Sequence, residues 1–382
     1  MKIAIMFRAV EEIDGPGIAS RNLIDKLIEI DRENEYVILY MRPGFVGRYK
    51  QYNNVKEILI NSKRKIIYDQ IHVPRVCKRE KVDLIFNPKF SVPLLTSIKT
   101  LMIQRGSEYW IYPEYYDRMD LMYVNIFLPL YCRKAVQIVT LSDVLKRDLN
   151  KYINVPLKKM KTIYSAPAEI FRKIDDQQYL ENVRKQLKLP EGKFVLAVTK
   201  AYSAVGSKKK EFYPRKNTHG VINSFIRAKQ HLDQDVSLVL LGVNIRETLE
   251  EIGRDDLLAR DDLFFPGYVS QELLPAVYNL AALLSFPSYY ESFGIPLVEA
   301  MACGCPVITS NVGASPEIVA DAAITVDPDD LDALTQGTLD ILSDDTLAGE
   351  LSQKGLARAK DFVWKKSALE LRKTFEQCLS QT

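Results

Sequence analysis

Two carboxylates, Glu291 and Glu299, bracket the run Ser292-Phe293-Gly294-Ile295-Pro296-Leu297-Val298. A short apolar run ends just before them at Phe286, and a loop follows. Pro296 suits the first turn of a helix, where its missing N–H costs nothing. Gly304 can end that helix in a left-handed conformation, and Cys305-Pro306-Val307-Ile308 resumes a strand. The helix is therefore about two turns long. Its N-terminus, with free N–H groups between Gly294 and Leu297 at every residue but Pro296, points out of the sheet edge and suits an anion or polar sugar oxygens. Glu291 precedes the helix and Glu299 lies within it, so both can look toward one side. Paired acceptors of this kind suit the hydroxyls of ribose and of a hexose. The same spacing also fits a surface loop with one capping and one solvated Glu, so spacing alone leaves both readings open.

The elements that must hold these residues alternate between short apolar strands and amphipathic helical stretches, the pattern of α/β domains with parallel sheets. Ile3–Phe7 reads as a buried strand, Asp14-Gly15-Pro16-Gly17 as a loop, and Ser20–Ile30 as a helix. Further strands are expected at Tyr36–Tyr40, Leu84–Phe86, Leu101–Gln104 and Gln137–Leu141, with Ser142 capping a helix Asp143–Lys151. After Ile163 the chain crosses a polar segment that runs to Gly192. Strands then resume at Phe194–Thr199, Ser237–Leu241, Ala281–Phe286 and Pro306–Thr309, and the tail Trp364–Leu379 has helical spacing. The expected layout is residues 1–166 as one Rossmann-like domain, joined by a C-terminal helix at about 364–382, and residues 167–363 as a second. Doubly wound sheets bind ligands beyond the carboxyl ends of their strands, here in a cleft between the halves.

Composition narrows the function. A chain of 382 residues has room for two sizeable cores, and a net charge of +3 lacks the basic footprint of a nucleic-acid binder. Five cysteines without a Cys-x-x-Cys pair, and three histidines, provide no zinc spacing. Local basic runs stand at Lys63-Arg64-Lys65, Lys158-Lys159 and Lys208-Lys209-Lys210. They read as solvated faces, or as attraction to phosphates or an anionic membrane surface. Met1-Lys2 before Ile3–Phe7 is too short for a signal peptide, and no apolar run reaches membrane-span length, so a cytoplasmic address is expected.

The run from Glu291 to Glu299 resembles the E-x7-E signature of glycosyltransferase family 4, the retaining group 1 enzymes with the GT-B fold. The resemblance continues through Glu299-Ala300-Met301-Ala302-Cys303-Gly304-Cys305-Pro306-Val307-Ile308 to Pro316-Glu317-Ile318. It recurs at Gly267-Tyr268-Val269-Ser270 and at Pro214-Arg215-Lys216-Asn217. It is strongest from Phe194 to Ala320 and weak before Ala135. By this resemblance Glu299 binds the nucleotide ribose, Glu291 faces the donor sugar, and the backbone at Phe293, Gly294 and Ile295 holds sugar hydroxyls or phosphate. Leu297 lies near ribose and phosphate, and Val269 offers backbone groups to the base. Lys216 matches the phosphate-binding lysine. The second cation falls to Lys200, Arg215 or a lysine of the Ala201–Tyr213 loop, which is longer than the family pattern. Gly15 and Gly17 resemble the glycine loop that approaches the donor phosphate.

Arg105 stands where many members have a histidine, in Gln104-Arg105-Gly106-Ser107-Glu108. Arginine can pair with phosphate or an acidic acceptor but cannot act as a base at neutral pH; a purely structural role fits equally. Tyr109, Trp110, Tyr112, Tyr115 and Tyr116 follow, suited to stacking on sugar faces or to core packing. The resemblance implies a nucleotide-sugar donor such as a UDP- or GDP-hexose, no cofactor and no metal, and a glycan, lipid-linked or small-molecule acceptor in polysaccharide biosynthesis. Peripheral membrane contact through Arg64, Lys65, Arg75, Lys78 and Arg79 is a further expectation. Replacing Glu291 by Ala is expected to remove donor turnover and leave the fold intact. The competing readings are a nucleotide-sugar epimerase or hydrolase on the same scaffold, which the scarcity of histidine disfavours, and a non-catalytic binding subunit, which intact Lys216, Glu291 and Glu299 disfavour.

Overall fold

The computed structural model describes residues 1–11, 15–203 and 210–380. Two compact units divide the chain: Met1–Ala166 with Val363–Thr382, and Pro167–Phe362.

The first unit is built on seven parallel strands: β1 (Lys2–Met6), β2 (Glu35–Tyr40), β3 (Val55–Leu59), β4 (Leu84–Asn87), β5 (Lys99–Gln104), β6 (Gln137–Thr140) and β7 (Met160–Thr162). Their order is β3-β2-β1-β4-β5-β6-β7. The direction of winding reverses between β1 and β4, which creates a crevice beyond their carboxyl ends. Central strands such as Ile3-Ala4-Ile5-Met6 and Leu84-Ile85-Phe86 are buried on both faces, and helices cover the sheet. Ser142 caps the helix Asp143–Ile153 by accepting a hydrogen bond from the Leu145 N–H. One expectation changes: Gly15, Pro16 and Gly17 form the first turn of the helix Gly15–Ile30 rather than a loop. Proline is preorganised for a first turn, and the helix simply starts earlier than its apolar face does. Asp14 lies outside the described residues.

The second unit repeats the plan with β8 (Lys193–Val198), β11 (Val236–Leu241), β12 (Leu263–Gly267), β13 (Leu283–Phe286), β14 (Val307–Ser310) and β15 (Ile324–Val326), all parallel. Their order, β12-β11-β8-β13-β14-β15, reverses between β8 and β13. A hairpin of β9 (Ala201–Ser203) and β10 (Lys210–Phe212) stands apart from this sheet, in the segment that departs from the family spacing.

The C-terminal helix Trp364–Ser380 belongs to the first unit. Its buried face places Phe375 edge-to-face on Phe86 at 5.4 Å. Ser367 Oγ donates to the Tyr164 carbonyl at 2.7 Å, and Arg372 reaches Glu33 at 2.9 Å. Truncating Phe375 to Ala empties a fully buried ring site. It should lower unfolding free energy by about 3–5 kcal/mol, read by urea titration; a loss near zero would mean the helix is not integral to that unit.

Candidate active site

The site in the second unit begins where β13 ends, at the reversal point of the sheet. Ser288 N–H turns back to the Phe286 carbonyl, and the chain then carries Glu291 toward the turn Pro214–Lys216, which leads into the helix Thr218–Lys229. Asn217 fixes that turn. It adopts a left-handed conformation, its side chain accepts from the Gly220 N–H, and its amide donates to the Pro328 carbonyl at 2.8 Å. The Tyr289 N–H donates to the Arg215 carbonyl at 2.8 Å, so backbone joins the two segments before any side chain does.

Lys216 Nζ then donates to Glu291 Oε1 at 2.8 Å, with both side chains almost buried. The ammonium lies 4.2 Å from the centre of the Phe286 ring, a position that favours a cation. Burial pushes the Glu291 carboxyl up, but the charges of Lys216 and Arg215 and the hydrogen bond from Lys216 outweigh it and hold it below the ordinary carboxylate range. Glu291 is thus a carboxylate at neutral pH. The Lys216 pKa is lowered by burial and by the like charges of Arg215 and Lys200, against the pull of Glu291. Adding an anion here would therefore relieve crowding of positive charge. Lys200 is exposed at the end of β8, and Arg215 lies 5.2 Å from the Tyr213 ring. Lys208 and Lys209 lie outside the described residues.

Glu299 sits in a different environment. It is on the helix Ile295–Ala302, only 7% exposed, and accepts a hydrogen bond from Tyr278 Oη at 3.1 Å. Burial pushes its carboxyl up to about 7, with the tyrosine acting against the rise. The alternative of one capping and one solvated Glu is excluded, since both carboxylates are buried. Gly294 precedes the helix with φ of +85°, which a side chain would strain. The expected free N–H at Leu297 is corrected: it donates to the Gly294 carbonyl at 3.0 Å, because the first turn is tight. Phe293 packs its ring on Phe362 at 5.6 Å, and Leu297 and Val269 are buried, so what these residues can offer a ligand is backbone.

Two supports were not anticipated. Tyr278 lies in the helix Leu274–Leu280, where a tyrosine in an apolar stretch signals a buried hydroxyl needing a partner. Gly313 has φ of +61°, and a Cβ there would stand 3.0 Å from the Glu291 backbone nitrogen. The Ala314 N–H also donates to the Glu291 carbonyl at 2.9 Å. A glycine just beyond a strand, as in Asn311-Val312-Gly313, is the signal of such close approach.

In the first unit, the crevice at its own reversal point opens into a cavity of about 510 Å³. Arg8 follows β1 and pairs with Asp69 through two hydrogen bonds of 3.1 and 2.9 Å, and Ser91 Oγ donates to Asp69 at 2.8 Å. Tyr109, Tyr116, Tyr123, Lys65 and Lys89 complete the lining that matters chemically. Of the expected aromatic group only Tyr109 and Tyr116 reach this cavity. Trp110 stacks on Tyr152 and donates to Asn125, and Tyr112 stacks on Tyr115. Arg8 could have been singled out as a cation directly after a buried parallel strand; Asp69, in a widened helical turn, had no such signal. Arg105 donates from Nε to the Pro88 carbonyl at 3.0 Å and from Nη2 to Ser20 Oγ at 2.6 Å. These contacts brace β5 against the loop after β4 and the helix Gly15–Ile30.

The sequence has five Asp-Asp pairs, at 175–176, 255–256, 261–262, 329–330 and 344–345, and each has structural employment, Asp344 capping the helix Asp345–Ala359. Asp176 and Asp330 cap helices, Asp256 pairs with Arg254, Asp262 with Arg260 and Lys229, and Asp329 accepts from Tyr289. Among the described residues no group of three His, Cys, Asp or Glu side chains has metal-binding geometry.

Residues 207–358 match the family model for glycosyl transferases group 1. The O-antigen chain mannosyltransferase B of Escherichia coli is 26% identical over 392 residues, covering 97% of this chain and 95% of that one. A glycosyltransferase from Rickettsia africae ESF-5 superposes with a TM-score of 0.75 at 16% identity, over 100% of this chain and 99% of that chain. Anabaena Alr3699/HepE, solved in complex with UDP and glucose, gives a TM-score of 0.71 at 18% identity over 99% and 100%. These two structural likenesses are likenesses of fold.

The buried pair alters what Glu291→Ala should do. Removing one partner strands the Lys216 charge, so the substitution should cost about 3–5 kcal/mol of stability, whereas Glu291→Gln keeps an acceptor. Equal urea midpoints for the Ala and Gln variants would contradict the pairing. For Glu299 the sign is opposite to that of a paired carboxylate. The folded protein keeps the proton until about pH 7, while the unfolded chain releases it near 4.5. Stability from this group is therefore full below pH 4.5 and is lost as pH rises to 7. Glu299→Gln should thus gain on the wild type by on the order of 3 kcal/mol at pH 8, with no gain below pH 4.5. Parallel pH profiles of the two melting temperatures would overturn this.

Proposed function

We propose that this chain, a group 1 glycosyltransferase by residues 207–358 and by its fold, moves a hexose from a nucleoside-diphosphate donor to an acceptor hydroxyl, with retained anomeric configuration and no metal ion. The observation that carries the reading is the buried Lys216–Glu291 pair at the reversal point of the second sheet. Breaking the bond between the sugar anomeric carbon and the diphosphate oxygen leaves negative charge on the diphosphate. In this reading that charge develops beside Lys216, which its pairing with Glu291 already holds in place, and a preorganised cation lowers the barrier without reorganising. Arg215 and Lys200 add to the same field. Glu291, kept ionised, accepts hydroxyl hydrogen bonds from the sugar.

Glu299 accepts from the ribose hydroxyls, in either protonation state, with Tyr278 setting its rotamer. The backbone at Phe293, Gly294 and Ile295 and near Leu297 takes sugar or phosphate oxygens, and that at Val269 takes the base. Gly15, exposed at the start of its helix, presents backbone suited to phosphate. Arg105 is a bracing residue in this scheme. The acceptor proton passes to the departing diphosphate oxygen on the face that the sugar leaves, so no carboxylate base is needed. The Tyr109, Tyr116 and Tyr123 cavity suits a glycan, whose apolar sugar faces stack on aromatic rings. Mannose is the first sugar to try, since the Escherichia coli relative is named a mannosyltransferase.

The test is incubation with GDP-mannose, UDP-glucose and ADP-glucose in chelator, with released nucleoside diphosphate measured and product configuration read by NMR. One donor should be consumed, and Glu291→Gln should slow it by at least about 100-fold in a protein that still unfolds cooperatively. Dependence on added metal, an inverted product, or full turnover by that variant would each contradict the proposal.

A further inference from the structure

The helix Arg118–Lys134 presents an apolar stripe outward. Its inner face buries Val124, Leu128, Tyr131 and Cys132 in the core of the first unit. On the opposite side Met119, Met122, Ile126 and Leu130 are 77%, 59%, 50% and 38% exposed. Their spacing of three and four residues puts them on one line of the helix. A surface helix ordinarily carries charge there, and a contiguous apolar strip marks a contact surface.

What lies at the end of the strip indicates its partner. Lys159 Nζ donates to the Arg133 carbonyl at 2.7 Å, and Lys134 Nζ donates to the Thr96 carbonyl, so two neighbouring loops are tied to the helix terminus. Those loops carry exposed Leu157, two residues before Lys159, and the 97% exposed Leu95, next to Thr96. Arg133 at the end of the helix and Lys158 next to Leu157 are exposed cations, whereas Lys134 and Lys159 are the tethers. The other end of the helix is balanced, with Arg118 beside Asp117 and Asp120. Leucine and methionine side chains flanked by long cationic ones are the chemistry of a helix lying in a lipid headgroup layer.

We propose that this strip is a docking surface for an anionic lipid bilayer, with Met119, Met122, Ile126 and Leu130 entering the apolar boundary and the basic cluster facing lipid phosphates. The same helix lines the acceptor-side cavity through Asp120, Tyr123, Val124 and Tyr131. Docking would therefore hold that cavity at the membrane surface. Of these cations the sequence singles out the run Lys158-Lys159; Arg133 is an addition, and the group Arg64, Lys65, Arg75, Lys78 and Arg79 is not part of this strip.

Flotation of the full chain with phosphatidylcholine vesicles, with and without phosphatidylglycerol, tests this. The protein should float with the anionic vesicles only, less so at high salt. Met122→Glu with Ile126→Glu should reduce the bound fraction at least about tenfold, and Arg133→Glu with Lys158→Glu should abolish the preference for anionic lipid. Neither pair should alter the melting temperature or donor turnover in solution. No flotation, flotation indifferent to both pairs, or a protein dimer that Met122→Glu dissolves would overturn the proposal.

Discussion

An ammonium and a carboxylate cannot be withdrawn from water singly, and the second unit is arranged around that constraint. Lys216 and Glu291 are each nearly buried, and each would be costly without the other. Their meeting requires two loops from distant parts of the chain to be fixed in register. The Asn217 turn, the bond from Tyr289 to Arg215, and the close approach of Gly313 to the Glu291 backbone provide this. Beneath them the parallel strands β8 and β13 are adjacent although far apart in sequence, and the reversal of winding leaves their carboxyl ends open. Fold, loop and side chain converge on one pair.

The same helix-and-loop segment treats its two carboxylates oppositely. Cations surround Glu291 and keep it ionised; Glu299 has only a tyrosine hydroxyl and burial, and holds its proton to near neutrality. The proposed function gives these two acids, in contrasting environments, separate duties, one electrostatic and one of hydrogen bonding. That division matches a ligand with a charged, reacting end and a neutral ribose end.

The strands that were legible in the sequence are the central ones. Ile3–Phe7, Tyr36–Tyr40, Phe194–Thr199 and Ser237–Leu241 stand out because burial on both faces demands continuous apolar runs. The four strands that were missed in the two main sheets, β3, β7, β12 and β15, are their edges. Edges are half-exposed or short, so Val55-Lys56-Glu57-Ile58-Leu59 reads as a mixed segment, and Pro266 obscures β12. The carboxylates and Lys216 were found by motif, because local spacing carries them. Tyr278, Gly313 and the Arg8–Asp69 pair were not, because their meaning comes from contacts between elements remote in sequence. Arg105 was visible as an oddity, but only its bonds to Pro88 and Ser20 indicate its work.

The central claim is that Lys216 stands ready for a diphosphate. Its most direct measurement is calorimetric titration of wild type and Lys216→Met with GDP, UDP and ADP, and with the corresponding nucleosides. One diphosphate should bind the wild type far more tightly than its nucleoside, and the variant should lose that difference while keeping nucleoside affinity. A variant that still prefers the diphosphate by the same factor would contradict the claim.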